Sequence, residues 1–347
     1  MTALTVGSLC SGIGGLELGI ERALGARVVW QAEVDPHAAT VLAHHWPGVP
    51  NLGDLTTVDW AHVEPVDVMC FGFPCQDISS AGRRAGLEGE KSALWFACAD
   101  AVRLVRPRWL LVENVGALLV RGFDRVQGDL AEMGYDTSWG CLRSSDIGAP
   151  HRRERIFIAA ADTRSTGTWR DTGAAPDVRG GAPGLGGRRR PAPDPDDERR
   201  EGTGRARGWG TGPADSRDVA ADTDSERFTF WPECDCEPAT PTEGHHQLNE
   251  LDADGRVRWG VYTAAIRRWE AIHGPAPRPR DHKGRLNPQL PEWMLGYPGG
   301  WVTEVDVPRT AQLRLLGNSV QPQVAQIAAK VLLHPLLHPC SSSQRVV

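Results

Sequence analysis

At 347 residues, 40% hydrophobic and 24% charged, the chain can bury a full core as one large or two smaller domains, with an ordinary globular composition. No apolar stretch approaches bilayer length and no charged-then-apolar leader opens the chain, so an intracellular protein is expected. The net charge of −6 argues against an unspecific polyanion binder but leaves room for a local nucleic-acid patch.

Thr5 to Cys10 reads as a strand, Gly15 to Leu24 as an amphipathic helix closed by Gly25, Arg27 to Ala32 as a second strand and Pro36 to His45 as a helix. Val66 to Phe71 and Trp109 to Val112 are short, continuously apolar and partly β-branched, the pattern of strands buried on both faces; a helix from about Leu94 to Val105 lies between them. Phe123 to Met133 reads as a helix capped by Gly134, and Arg155 to Ala161 as a late apolar strand. This alternation predicts an α/β fold, a doubly wound and mostly parallel sheet with helices on both faces.

From about Asp162 the texture changes. Residues 163–225 are rich in Gly, Arg, Pro and Asp without a hydrophobic period, and read as partly irregular. Ala160-Ala161-Asp162-Thr163 and Ala220-Ala221-Asp222-Thr223 bracket that stretch, as an insertion leaving and rejoining one edge would. Order resumes near Phe228 to Trp231 and in a helix from Val261 to His273. Ala311 to Leu316 and Pro322 to Leu333 read as helices flanking a turn at Gly317-Asn318-Ser319-Val320, with Pro322 suited to a first helical position.

In open parallel sheets, chemistry sits beyond the carboxyl ends of the strands. Two strands therefore deliver Gly72-Phe73-Pro74-Cys75-Gln76 and Glu113-Asn114-Val115 to one rim, a nucleophile with an acid beside it. Ser8-Leu9-Cys10-Ser11-Gly12-Ile13-Gly14-Gly15 follows the first strand and opens a helix, where glycines allow close approach and the helix N-terminus favours a carboxylate or phosphate. Glu33, ending the second strand, is placed for ribose hydroxyls, and Asp54 for an adenine amino group; each alone also fits a solvated turn. The eight cysteines are scattered and read as thiols. Cys234-Asp235-Cys236 is too closely spaced for the usual zinc knuckle, and with His245 and His246 reads better as a polar loop than a metal site.

Taken together, these motifs resemble the DNA (cytosine-5) methyltransferase family, which uses S-adenosylmethionine. Ser11-Gly12-Ile13-Gly14-Gly15 is similar to its cofactor loop, Gly72 to Gln76 to its catalytic loop, Glu113-Asn114-Val115 to its ENV motif, Arg153-Glu154-Arg155 to the arginine pair of QxRxR, and Gly317 to Val320 with Pro322 to its late motif. The likeness covers roughly the first 160 and last 50 residues. It implies a Rossmann-like methyltransferase domain at 1–162 plus 300–347 and a target-recognition insert at 163–299. It implies catalytic roles for Cys75, Glu113, Arg153 and Arg155, and cofactor contacts from Ser11, Gly12, Ile13, Gly14, Gly15, Glu33, Val34, Asp54, Leu94, Asn318 and Ser319. S-adenosylmethionine is the implied cofactor, with no metal. The implied partner is duplex DNA, for a cytoplasmic monomer of bacterial or phage origin that shares its site with a cognate restriction endonuclease.

Three positions depart from the family pattern. His151 stands where Gln is usual, Val34 follows Glu33 where many members carry a bulky residue, and Leu286 to Trp293 is only loosely similar to the motif before the last. Cytosine carbon 5 is a poor nucleophile until a thiolate adds at carbon 6, which assigns Cys75 the attack. An ordinary thiol titrates near 8.5, so Arg153 or Arg155 beside Cys75 would help it ionise. Glu113, protonated or sharing a proton with ring nitrogen 3, balances charge on the ring. The base must leave the duplex stack, and Gln76 to Ser92 resembles the loop that closes over it. An RNA-directed member of the same family, a dinucleotide-dependent oxidoreductase and an inactive DNA binder are the rival readings. The oxidoreductase explains the glycine loop and Glu33 but gives Cys75, Glu113 and the arginine pair no joint task.

Overall fold

The computed structural model describes residues 3–73, 93–166 and 257–337, all within one compact unit of the chain. Its first part runs β1 (Thr5–Leu9), α1 (Gly15–Leu24), β2 (Arg27–Ala32), α2 (Pro36–His45), β3 (Val68–Gly72), α3 (Ala93–Val105) and β4 (Trp109–Val115). Then follow α4 (Phe123–Glu132), β5 (Tyr135–Arg143), β6 (Glu154–Asp162) and the single turn α5 (Thr163–Thr166). The second part holds α6 (Thr263–His273), α7 (Gln289–Met294), α8 (Arg309–Asn318) and α9 (Pro322–Ala328), which continues through a π-helical turn, Ala329–Leu333, into α10 (His334–Leu337). No described helix is long and apolar enough to cross a membrane.

The strands form one sheet in the order β2-β1-β3-β4-β6-β5. β2, β1, β3 and β4 are parallel, whereas β6 pairs antiparallel with both β4 and β5. Successive residues of a strand face opposite sides. Met69 and Phe71 of β3 and Leu110 and Val112 of β4 therefore enter a core with α3 and α4, while Val68, Cys70, Trp109 and Leu111 enter a second core with α1 and α9. Burial on both faces is why these strands read as unbroken apolar runs.

The sheet corrects the sequence reading in two places. β5 was not expected at all. It is an edge strand whose middle, Thr137 to Trp139, is incompletely buried, so it lacks the continuous apolar run. The late strand, β6, runs against its neighbours because only residues 144–153 join it to β5, and a parallel crossover needs a dozen or more residues. Near the C-terminus, α8 continues through Gly317 and Asn318, so the expected turn begins at Ser319; its N–H and Oγ both donate to the Leu316 carbonyl. The Phe228 to Trp231 segment, the cysteine pair at 234 and 236, and most of the 163–299 insert lie outside the described residues. The portion from 257 onward packs a core of its own, in which Trp259, Ile266, Trp269, Leu290, Trp293 and Met294 meet Ala149.

Candidate active site

The carboxyl ends of β1, β3 and β4 open on a cleft of about 380 Å³, measured out to its open mouth. Ser8 to Ile13 and Gly15 line one wall, Phe71, Gly72 and Glu113 the second, and Asn318 to Val320 close it from the far end of the chain. These walls, separated by as much as 300 residues in sequence, converge where the parallel-sheet rule places a ligand.

The first wall is backbone. Cys10, Gly12 and Gly14 adopt positive φ (49°, 56° and 81°), and Gly14 caps α1 without a side-chain bond, leaving first-turn N–H groups unclaimed by any capping side chain. Gly15 has no room for a Cβ, which would lie 2.1 Å from the Val320 carbonyl oxygen and 2.2 Å from the Tyr297 hydroxyl. Glu33 binds this loop to the next. Its Oε2 accepts from the Gly12 N–H at 2.7 Å and its Oε1 from the Asp35 N–H at 2.8 Å. Burial raises the Glu33 pKa despite these bonds.

Behind the loop lies a buried acid that the sequence reading did not single out. Glu17 is wholly buried, its Oε1 accepting from Ser8 Oγ at 2.5 Å, and Ser11 Oγ donates to Ser8 Oγ at 2.9 Å. Desolvation pushes the Glu17 carboxyl up to about 7. An aromatic brace on the same loop was also missed. Trp301 donates its indole N–H to the Ile13 carbonyl at 2.8 Å and stacks flat on His45, with centroids 3.5 Å apart, while Tyr297 donates to the Val320 carbonyl at 2.8 Å. Gly299-Gly300-Trp301 beside a loop-like run was the available signal, since a buried indole requires an acceptor.

The second wall is charge. Glu113 is 7% exposed and pairs with Arg155, Nε to Oε1, at 2.8 Å. Burial raises its pKa, with Arg155 and then Arg153 pulling the other way. Gly72, its neighbour on β3, leaves room for this carboxylate: a Cβ there would stand 2.8 Å from Glu113 Oε2. Asn114 donates its amide to the Phe73 carbonyl at 3.0 Å and so fixes the chain just before Pro74. Cys75 lies outside the described residues, as does the loop expected from Gln76 to Ser92.

Arg153 and Arg155 have different partners. Arg155 serves Glu113, whereas Arg153, at φ 28°, donates through Nη2 to the carbonyls of Gly317 (2.9 Å) and Ser319, latching the C-terminal segment to the rim. His151, at the position where Gln is usual, is buried and bonds the Met294 carbonyl through Nε2 at 3.1 Å. Burial and the nearby Arg153 depress its pKa to about 4. The ring is therefore neutral, with its proton on Nε2, since a carbonyl can only accept.

Among the other expected cofactor residues, Ser11, Gly12, Ile13, Gly15, Asn318 and Ser319 line the cleft, and Gly14 caps the helix behind it. Val34 stands 71% exposed beyond Glu33. Asp54 is solvent-exposed, its Oδ1 accepting from the N–H and hydroxyl of Thr56, which lower its pKa. Leu94 packs beside the core of α3. These three, and Glu33 with them, are not in the cleft lining.

Residues 4–172 match the family model for C-5 cytosine-specific DNA methylase. This part of the chain is therefore similar to the C-5 cytosine-specific DNA methylases. It is 31% identical over 167 residues to the Type II methyltransferase M1.ScrFI of Lactococcus lactis subsp. cremoris, covering 47% of this chain and 43% of that protein. It is 35% identical over 154 residues to M.NgoBI of Neisseria gonorrhoeae, covering 43% and 48%. The chain thus spans less than half the length of these curated relatives. The fold is similar to that of the S. pombe Dnmt2 methyltransferase structure, with a TM-score of 0.54 and 16% identity over 96% of this chain and 99% of that one. A prophage-encoded E. coli protein described as a DNA modification methyltransferase aligns with a TM-score of 0.56 and 19% identity over the same shares.

Proposed function

We propose that the chain transfers a methyl group from S-adenosylmethionine to carbon 5 of a cytosine flipped out of a specific duplex DNA sequence, through a covalent adduct at Cys75. The observation that carries this reading is Glu113, a buried carboxyl of raised pKa held by Arg155 at the cleft, with the strand beside it leading to Pro74-Cys75. The matched family and the relatives named Type II methyltransferases support it.

The cleft fits the cofactor. First-turn N–H groups of α1 suit a carboxylate, the positive-φ glycines admit a ligand against backbone, and Glu33 and Val34 at the rim suit a ribose and an adenine face. When bound, S-adenosylmethionine supplies the methyl group on an activated sulfonium. The protein residues do the rest. The Cys75 thiolate adds to carbon 6 and makes the ring electron-rich at carbon 5. Glu113, which keeps its proton to higher pH than a surface carboxyl, gives it to ring nitrogen 3 and balances the charge, while Arg155 fixes its orientation. A base then takes the carbon-5 proton, the freed electron pair re-forms the carbon 5–carbon 6 double bond and expels Cys75 as its thiolate, and ring nitrogen 3 returns its proton to Glu113. Extraction of the base from the stack costs a few kcal/mol.

We further propose that residues 163–299 read the target sequence, that the protein works as a cytoplasmic monomer in a bacterial or phage-infected cell, and that a restriction endonuclease cuts the same site. The test is incubation with labelled S-adenosylmethionine and a mixed-sequence duplex, followed by bisulfite sequencing. The expected result is methylcytosine in one short context, lost in Cys75→Ala while cofactor binding is retained. Transfer by Cys75→Ala at the normal rate would sink the covalent mechanism.

A further inference from the structure

The region between residues 163 and 285 carries 20 Arg and Lys against 21 Asp and Glu, a net of −1. That balance hides a segregation. Residues 163–256 hold 13 basic and 19 acidic side chains, a net of −6, whereas residues 257–285 hold seven and two, a net of +5. The basic seven are Arg258, Arg267, Arg268, Arg278, Arg280, Lys283 and Arg285.

Both acids of the short segment are engaged internally. Glu270 accepts from the Ala276 N–H at 3.1 Å. Asp281 accepts from the N–H groups of Lys283 and Arg285 and from Arg285 Nε, each at 2.9 Å. Arg267, Arg268, Arg278, Arg280 and Lys283 are exposed, and none of them forms an ion pair with another described residue. Exposed cations on a yielding loop would gain little from any partner. Here the scaffold is set in advance. Residues 278–286 form a tight hairpin in which the Asp281 N–H donates to the Arg285 carbonyl at 2.7 Å and the Gly284 N–H to the Asp281 carbonyl at 2.9 Å. Arg280 Nη1 spans the turn to the Gly284 carbonyl at 2.7 Å. Asn287 holds the base of the hairpin through the carbonyls of Arg278 and Pro279, and Arg309 through that of Leu286.

The segment is also joined to the reaction rim. Trp269 on α6 donates to the Trp293 carbonyl at 2.9 Å, and Trp293 to the Gly274 carbonyl at 3.1 Å. The next carbonyl, Met294, takes the His151 bond, two residues before Arg153. The hydrogen-bonded segment that carries these exposed arginines therefore shares its packing with the loop that presents Arg153 and Arg155.

We propose that α6 and the 278–286 hairpin form a preorganised clamp for the sugar-phosphate backbone of duplex DNA beside the flipped base, an assignment that rests on the DNA methyltransferase reading. Guanidinium groups suit phosphate oxygens, and phosphate contacts fix register without reading sequence. The clamp therefore sets affinity and salt dependence, and base selection lies elsewhere in the recognition region.

Salt titrations of binding to a duplex carrying the methylated sequence, to an unrelated duplex and to tRNA test this with two variants. In Arg278→Ala/Arg280→Ala/Lys283→Ala the slope of log affinity against log salt should fall in magnitude by about 2–3, at roughly 0.9 per phosphate lost. In Arg267→Ala/Arg268→Ala it should fall by about 1–2. Both duplexes should be affected alike, with the cofactor affinity and the methylated context unchanged. The helix variant leaves the hairpin intact, so it decides the matter if the triple variant fails to fold. Unchanged slopes with a wild type that methylates duplex DNA would overturn the clamp and leave the reaction standing. Slopes that change only on tRNA would overturn it in favour of RNA. A wild type that neither binds nor methylates duplex DNA would remove the methyltransferase reading and the clamp with it.

Discussion

The two walls of the cleft are built on opposite principles. The wall formed by the β1–α1 loop is held through backbone. Its carbonyls and N–H groups are fixed by Trp301, Tyr297 and Glu33, its charge is one carboxyl at the rim, and a second carboxyl behind it is buried with a pKa of about 7. The β3–β4 wall is held by an ion pair, Glu113 with Arg155, in a setting where burial nonetheless favours the neutral acid. A backbone wall suits a ligand that must be gripped identically each time. A wall of charged groups with shifted pKa values suits a step in which charge moves. Under the reaction proposed above, binding falls to one wall and proton transfer to the other.

The sharpest way to break that division is Glu113→Gln. The amide keeps the shape but cannot pass a proton, so kcat should fall about 10²–10⁴-fold while cofactor affinity holds. Because the acid is needed protonated, wild-type kcat should decline as pH rises through the raised Glu113 pKa, and that alkaline limb should vanish in the variant. Equal losses in kcat and cofactor affinity would show that the walls do not divide the labour.

A second prediction concerns the acid behind the binding wall. Folded Glu17 titrates at about 7 against an ordinary 4.5, so between those values the folded protein keeps a proton that the unfolded chain has released. Stability therefore falls as pH rises through this window, by about 3 kcal/mol once it is crossed. Denaturant titrations on either side of the window should show that drop in the wild type and a much flatter profile in Glu17→Gln. An equal drop in both would place the pH dependence elsewhere. The smallest effect is expected for Trp301→Phe, which keeps an aromatic ring over His45 but loses the bond to the Ile13 carbonyl. Cofactor affinity should weaken about fivefold, corresponding to roughly 1 kcal/mol, with kcat unchanged. A change in kcat alone, read from the same saturation curves, would contradict the assignment.

Much of this arrangement was legible in the sequence because it follows from local pattern. β1 to β4 announce themselves as apolar runs, and Gly25 and Pro36 mark where α1 ends and α2 begins. The rim positions of Glu113 and the glycine loop followed from the parallel-strand rule. What escaped depends on distant partners. The direction of β6 is set by the shortness of the β5–β6 connection and not by its own residues. Arg153 and Arg155 look equivalent in sequence, yet one meets a carboxylate and the other two carbonyls more than 160 residues away. His151 departs from the family's Gln but, as a neutral ring donating to Met294, performs a task an amide could also perform. Glu17 sits on a helix whose pattern predicts a buried stripe, but nothing local reveals that an acid lies within it.

Gly19 of α1 lies against α9 so closely that a Cβ would stand 2.5 Å from that of Ala325, and Leu16 and Ile20 share their core with Val324 to Leu336. During synthesis, the sheet and α1 leave the ribosome long before the helix that covers them exists. At roughly 5–20 residues per second, about 10–30 s separate the emergence of residue 166 from that of residue 337. For that interval one face of the nascent sheet is bare, and the closing strap of the cleft, Asn318 to Val320, is not yet made. The half of the chain that carries the first two walls of the cleft is thus translated early, but its pocket closes late.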